Sequence, residues 1–365
     1  MVPGAHWEGF VINRISTFNE FRDAISAYRL PRVLLAALEM DLFTVVGDRT
    51  WSLTALAKKL KVSERGLGIL CRNLAAAGML YKKGSVYRNS KLGATALNAK
   101  HPTYRGGYLH LIRSHWTDWI RLAESIQSGL PLDHDVPDGP DHRRQFTWAM
   151  HHRTVEIAPE IAGHLHLGHA QNLLDLGGGP GTYALAFLAK NPRLRATVCD
   201  RVAALEVAKE IASTHKARER LSYLPLDFSQ EPIPGTYDVV WYSNVLHIYS
   251  PKTNQAIFRR VRAALKPGGR FIIQDSFLHD REGLYPTEAS LFALSMLLFT
   301  EQGDTYTVNE TAKWLKQAGF VRIKPVPIRK GTEDWEDGIW EASAPGPRPR
   351  MIANQKGSSR NRKAH

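Results

Sequence analysis

Apolar residues recur at helical spacing from Phe18 to Thr44, at Phe21, Ile25, Tyr28, Leu34, Leu35 and Leu38, and Pro31 predicts a break between two helices there. Two shorter helices follow, Ser52 to Leu60 and Ser63 to Leu74, joined by a turn at Lys61-Val62. The Ser63 hydroxyl can accept a free N–H of the second helix's first turn, and Gly78 is suited to end that helix. Two strand-like runs joined across Lys83-Gly84 then make a hairpin, so this region reads as a winged helix. Helical spacing returns near Tyr104 to Gln127 and Arg143 to Leu165. Between them, Ser128 to His142 carries Pro131, Pro137, Pro140 and four Asp, and reads as a loop.

From Asn172 onward the period changes. Short apolar runs at Leu173–Leu176, Ala196–Cys199, Leu221–Leu226, Tyr237–Tyr242, Phe271–Gln274, Val321–Ile328 and Gly338–Ala342 alternate with helical stretches. Buried parallel strands read as continuous apolar runs, so the alternation predicts a doubly wound, Rossmann-like α/β sheet of seven strands behind a mainly helical domain. The expected division is a flexible N-terminus over 1–15, a winged-helix domain over 16–100, linking and pocket helices over 101–170, a catalytic domain over 171–343 and a disordered tail over 344–365.

Composition narrows the class. The chain has 365 residues, enough for two or three cores, with 43% hydrophobic and 23% charged residues, which excludes a disordered or collagen-like chain. No apolar run approaches the ~20 residues of a membrane span, and MVPGAHWEGF lacks the features of a secretory leader. With Cys71 and Cys199 as the only cysteines there is no disulfide framework, and a reducing cytosol is the expected compartment. The net charge is +13, but Arg348, Arg350, Lys356, Arg360, Arg362 and Lys363 lie in the acid-free segment from Ser343 on, leaving +7 elsewhere. That excess favours an anionic ligand without identifying nucleic acid.

The chemistry concentrates around Leu173-Leu-Asp-Leu-Gly-Gly-Gly-Pro-Gly-Thr-Tyr, a strand entering a glycine turn and then a helix. Such a turn lets a ligand approach the backbone and presents free N–H groups at the helix start. The dinucleotide pattern G-x-G-x-x-G, begun at Gly177 and Gly179, would need glycine where Thr182 stands, so an NAD site is disfavoured. Asp200, 23 residues past Gly177, ends the next strand, where a carboxylate can accept the hydroxyls of an adenosine ribose. Asp227 ends the third, placed to take an adenine amino group while Phe228 covers the ring. One such acid is ordinary; a series behind a glycine turn is specific.

On these residues the sequence resembles the class I S-adenosylmethionine-dependent methyltransferases. More narrowly, it resembles the O-methyltransferase family of plant phenylpropanoid and bacterial polyketide enzymes, in which a winged-helix dimerisation domain precedes a Rossmann-like one. The likeness covers about residues 15 to 343 and includes the turn Leu265-Lys-Pro-Gly-Gly-Arg before Phe271-Ile-Ile-Gln-Asp275. It implies that Asp175, Gly177, Gly179 and Gly181 cradle the methionine part of S-adenosylmethionine, Asp200 its ribose, and Asp227 and Phe228 its adenine. Ser243, Asn244 and Tyr249 are further candidate cofactor contacts, Tyr249 by stacking. The family's catalytic histidine falls on Val245-Leu-His247-Ile-Tyr249 and its orienting acid on Asp275. Where the family has a second acid, this chain has Asp304 in Gly303-Asp-Thr-Tyr-Thr307. The implied acceptor pocket draws on Phe146, Trp148 and Met150 of one helix and Met296 and Phe299 of another.

Methyl transfer is an in-line displacement at an activated carbon, so the protein mainly aligns the groups and removes a proton, which histidine can do near neutral pH. The expected enzyme is therefore a cytoplasmic, homodimeric O-methyltransferase acting on a small aromatic or polyketide-like hydroxyl, releasing S-adenosylhomocysteine, with His247 as general base. Its rivals are a carboxyl methyltransferase, which needs no base, a cofactor-binding relative with another reaction, and a winged-helix DNA-binding regulator. For His247 itself the bland alternative is a hydrogen-bonded core histidine. The pocket methionines and aromatics have a matching alternative as core stripes. The histidines at 151, 152, 164, 166 and 169 lack Cys or carboxylate partners at ligand spacing, so no metal is expected. DNA binding is disfavoured because Leu67-Gly-Ile-Leu-Cys71 suits burial better than a major groove.

Overall fold

The computed structural model describes residues 14–132, 140–279, 282–327 and 338–346. Most of the expected N-terminal segment, the centre of the 128–142 loop and the basic tail from 347 on lie outside the described residues.

The N-terminal part begins with helices Phe18–Ser26, Arg29–Glu39 and Leu42–Val46. The break expected at Pro31 falls instead at Ala27-Tyr28, and Pro31 sits in the first turn of the second helix, where its missing N–H is not needed. Helices Leu53–Leu60 and Glu64–Ala76 are capped by the hydroxyls of Ser52 and Ser63, and the hairpin Leu80–Lys83 with Val86–Asn89 follows. A third strand, Trp51–Ser52, joins the wing by pairing antiparallel with Val86–Asn89. The apolar sides of these elements meet in a core of Leu42, Phe43, Leu56, Leu67, Cys71, Leu74 and Tyr87. Thus the inner face of Glu64–Ala76 is occupied by packing.

The C-terminal sheet has seven strands: β1 Asn172–Leu176, β2 Arg195–Asp200, β3 Leu221–Pro225, β4 Tyr237–Ser243, β5 Leu265–Asp275, β6 Val321–Pro325 and β7 Gly338–Ser343. Their order is β6-β7-β5-β4-β1-β2-β3, with β7 antiparallel to both its neighbours and the remaining pairs parallel. Ala344 and Pro345 also belong to this layer rather than to the tail, because Ala344 N–H donates to the Gly269 carbonyl and Gly268 N–H to that of Pro345.

Helices Ile157–His164, Thr182–Lys190 and Val202–Ala212 cover one face over Phe187 and Trp241. Helices Pro251–Ala264 and Val308–Gln317 cover the other over Tyr242, Phe258 and Phe271. In this order the chain reverses direction of travel between β1 and β4. The crevice lies beyond the carboxyl ends of those strands, where ligands bind in open α/β sheets.

Among the described residues no helix is long and apolar enough to cross a membrane.

Candidate active site

Strand β1 delivers the chain into the turn Gly177–Gly181 at that crevice. Gly177, Gly179 and Gly181 all have positive φ, at 71°, 47° and 68°, a region that glycine enters without the Cβ penalty. Gly177 and Gly178 donate to the Cys199 carbonyl at 2.8 and 3.3 Å, anchoring the turn to β2. Gly178, which the motif treats as variable, is held to glycine by contact: a Cβ there would lie 2.5 Å from the Asp175 carboxyl carbon. At Gly177 a Cβ would lie 2.7 Å from Val245.

Asp175 is buried beneath the turn, accepting the Ala184 N–H at 3.2 Å, so it braces the cradle from below. Burial pushes its carboxyl up to about 7, with the neighbouring Asp200 adding to the effect. A folded-state value above the usual 3.8 means the folded chain holds a proton that the unfolded chain releases, so stability falls as pH rises from about 4 to about 7. Asp175→Asn is therefore expected to raise Tm most above pH 7, less near pH 5, and to change it little near pH 4, as thermal melts at the three values would show.

Asp200 accepts from Gly179 N–H at 2.8 Å through one oxygen and from Arg201 N–H at 2.7 Å through the other, fixing its carboxylate across the turn. Burial raises its pKa against these bonds. Beyond β3, Asp227 is exposed and its carboxylate accepts from Ser229 N–H, while Phe228 is buried and meets Tyr249 edge to face with the ring centroids 6.1 Å apart. Gly177, Phe228, Val245 and Tyr249 thus share one wall. Ser243 and Asn244 lie at the end of β4 and are tied to β5: Ser243 Oγ donates to Gln274 Oε1 at 2.8 Å, and Asn244 N–H to the Gln274 carbonyl at 2.9 Å.

His247 sits in the short turn Leu246–Ile248 after β4, buried, with Nδ1 2.7 Å from Asp275 Oδ1 at the end of β5. Asp275 is 1% exposed and also accepts Ser276 N–H on Oδ1 and Leu246 N–H on Oδ2. A carboxylate so placed accepts a hydrogen bond from Nδ1–H, which keeps the proton on Nδ1 and leaves the Nε2 lone pair to act as a base. Phe292, a residue sequence reasoning passed over, sets its ring edge-on to the imidazole at 4.8 Å. Asp304 also meets His247, but through the main chain: its N–H donates to the His247 carbonyl at 2.9 Å and its carboxylate accepts Thr305 N–H. It holds the turn where the family pattern implied a side chain orienting the ring.

Phe292 lies on helix Thr287–Phe299, and Met296 and Phe299 follow at spacings that keep them on its face. Met296 is buried and Phe299 stacks on His115 at 4.2 Å. Across the crevice, helix Pro140–Thr154 carries Trp148 and Met150, both half-buried, while Phe146 is exposed. His151 of this helix lies 2.9 Å from the Thr182 hydroxyl, so the helix docks on the residue that follows the glycine turn. Burial pushes His151 down to about 4. The adjacent His152 accepts Gly107 N–H at 3.1 Å, and His164 bonds the Glu160 carbonyl.

Residues 127–321 match the O-methyltransferase domain, and residues 23–99 match the O-methyltransferase dimerisation domain. The chain belongs to the O-methyltransferase family. It is 28% identical over 305 residues to the tetracenomycin polyketide synthesis 8-O-methyl transferase of Streptomyces glaucescens, covering 81% of this chain and 89% of that one. It is 27% identical to the mitomycin biosynthesis 6-O-methyltransferase of Streptomyces lavendulae, over 82% and 88% of the two chains. In fold it is similar to an O-methyltransferase family protein from Burkholderia thailandensis, with TM-score 0.81, 22% identity and 91% and 99% coverage. Human N-acetylserotonin methyltransferase, solved with S-adenosylmethionine, gives TM-score 0.79 at 22% identity over 92% and 99%.

As a member of this family the protein is an S-adenosylmethionine-dependent O-methyltransferase whose cofactor leaves as S-adenosylhomocysteine. Its own geometry fits that group: a bare glycine turn at Gly177, a fixed carboxylate at Asp200 and an aromatic wall of Phe228 and Tyr249 border one crevice.

Proposed function

We propose that this methyltransferase modifies a phenolic or enolic hydroxyl of a small aromatic or polyketide-like metabolite, with His247 as general base and Asp275 orienting it. The observation that carries the reading is the 2.7 Å His247–Asp275 bond, which fixes the tautomer and turns the basic Nε2 away from the carboxylate. The relatives named for tetracenomycin polyketide synthesis and for mitomycin biosynthesis support the same acceptor class.

When bound, S-adenosylmethionine supplies a methyl carbon already activated by a positive sulfur, so no acid is needed at the leaving group. The chain's part is to bind, orient and deprotonate. Gly177, Gly179 and Gly181 present bare backbone to the methionine portion, with Asp175 beneath them. Asp200 accepts the ribose hydroxyls. Asp227 and Phe228 take the adenine with Tyr249 against them, and Ser243 and Asn244 shape the end of β4. Trp148, Met150, Phe292, Met296 and Phe299 provide adaptable apolar walls for a flat acceptor. Nε2 of His247 takes the hydroxyl proton, which makes the acceptor oxygen the nucleophile for the methyl group that the cofactor would supply on cleavage of its carbon–sulfur bond. The test is turnover: with S-adenosylmethionine and hydroxylated polycyclic aromatics, the reading expects methyl ethers and S-adenosylhomocysteine in equal amounts.

The working unit is a homodimer assembled through the region read as 16–100. Helix Phe18–Ser26 buries none of its side chains, and Phe18, Phe21 and Ile25 stay 77%, 48% and 58% exposed on one chain. An apolar face of that kind needs a partner. Replacing Phe21 and Ile25 together by Asp is expected to halve the mass seen by sedimentation at micromolar concentration; an unchanged mass would place the interface elsewhere.

A further inference from the structure

Asn254 carries no chemistry in the reading above, yet it is the polar residue most completely enclosed beside the site. It stands in the first turn of helix Pro251–Ala264 and is 0% exposed. Its Nδ2 donates to the Leu246 carbonyl at 2.9 Å and to the Tyr249 carbonyl at 2.8 Å, and its Oδ1 accepts from the Tyr242 hydroxyl at 3.4 Å. Those two carbonyls are the ends of the four-residue turn that holds His247. One amide group therefore spans the segment whose middle presents the base and whose end presents the aromatic ring against Phe228.

The rest of the turn is held piecemeal. Asp275 takes Leu246 N–H, Asp304 N–H reaches only the His247 carbonyl, and the Tyr306 hydroxyl reaches only that of Tyr249 at 2.6 Å. Gly303 packs so closely that a Cβ there would lie 2.4 Å from the His247 carbonyl oxygen, so the turn has no slack on that side. A residue that only filled space would not need both amide protons on two different carbonyls. Without the amide the Leu246 carbonyl keeps only the long 3.5 Å bond from Tyr249 N–H and the Tyr249 carbonyl keeps only the Tyr306 hydroxyl, and weakening the pairing of a buried carbonyl is costly, so the amide is the one group that ties the two ends together.

We propose that Asn254 is a positioning residue that couples the two halves of the site, setting the imidazole of His247 for proton removal and the ring of Tyr249 for the cofactor through a single buried amide. The proposal deepens the hydroxyl-methylation reading and rests on it for the role of His247. It predicts a particular split. Disturbing the amide lowers kcat through the base and cofactor affinity through Tyr249, and leaves KM for the acceptor unchanged, because the acceptor walls lie on other helices. Misplacing a reacting group by about 1 Å can cost on the order of 100-fold in rate.

The test uses the full chain with Asn254→Asp, which keeps the shape and removes both donors, and Asn254→Ser, which keeps one donor. S-adenosylhomocysteine affinity is measured by calorimetry, and kcat and KM are measured with a phenolic acceptor, both per folded molecule as judged by circular dichroism. The expected result for Asn254→Asp is a kcat about 10- to 100-fold lower and an affinity about 3- to 10-fold weaker at unchanged acceptor KM, with Asn254→Ser falling between it and wild type. The proposal is overturned if both variants keep kcat and affinity within about twofold of wild type, or if activity falls only in step with the folded fraction. A wild type that binds S-adenosylhomocysteine but methylates no phenol would sink the hydroxyl reading alone, and the affinity comparison would still decide the coupling through Tyr249.

Discussion

Replacing His247 by Gln is expected to lower kcat for a phenolic acceptor by about 100- to 10,000-fold, the range that a positioned general base contributes. Glutamine keeps a hydrogen-bonding group near the Asp275 carboxylate and approximates the size of the ring, so the short turn after β4 should stand. S-adenosylhomocysteine affinity should stay within about twofold, since the bonds that hold Tyr249 run to Asn254 and Tyr306 rather than to the imidazole. The comparison of single-turnover rate with calorimetric affinity checks this. A histidine serving only as a core residue would give the opposite pattern, with lost stability and cofactor binding and a normal rate in the folded remainder.

The second large effect belongs to Asp200→Ala. Its carboxylate is pinned by Gly179 and Arg201 N–H groups and held at the crevice despite the burial that raises its pKa. A charge kept at such a cost is expected to be repaid by ligand hydroxyls. Hydrogen bonds to a charged group contribute about 1.5–3 kcal/mol each, so losing a pair should weaken S-adenosylmethionine binding roughly 100-fold or more. Because the desolvated charge disappears, Tm without cofactor should fall little. Titration calorimetry and a thermal melt of the same preparation separate the two effects.

Much of the fold was legible because its signals are local. The parallel strands are mainly apolar runs, and the second helix of the winged region announces itself through the cap at Ser63. The glycine turn was legible for the same reason, since positive φ at Gly177, Gly179 and Gly181 is a property of the chain itself. Signals that arise only in three dimensions were missed. Trp51–Ser52 is too short a strand to leave a period. Phe292 lies on a helix apolar nearly all round, so no face stood out. Asn254 sits in a helix with many cations and reads there as a solvent position, and only the turn lying over it reveals two carbonyls in need of donors. Asp304 was read as a side chain, whereas its contact with His247 is made by its backbone N–H, which no residue type signals.

The most direct measurement offers the wild-type protein S-adenosylmethionine labelled in its methyl group together with matched phenol and carboxylic acid scaffolds, with His247→Gln in parallel, and locates the label by mass spectrometry. The account predicts label on the phenolic oxygen alone and its loss in the variant. Methyl esters that form as readily in His247→Gln as in wild type would contradict it, since a carboxylate needs no base.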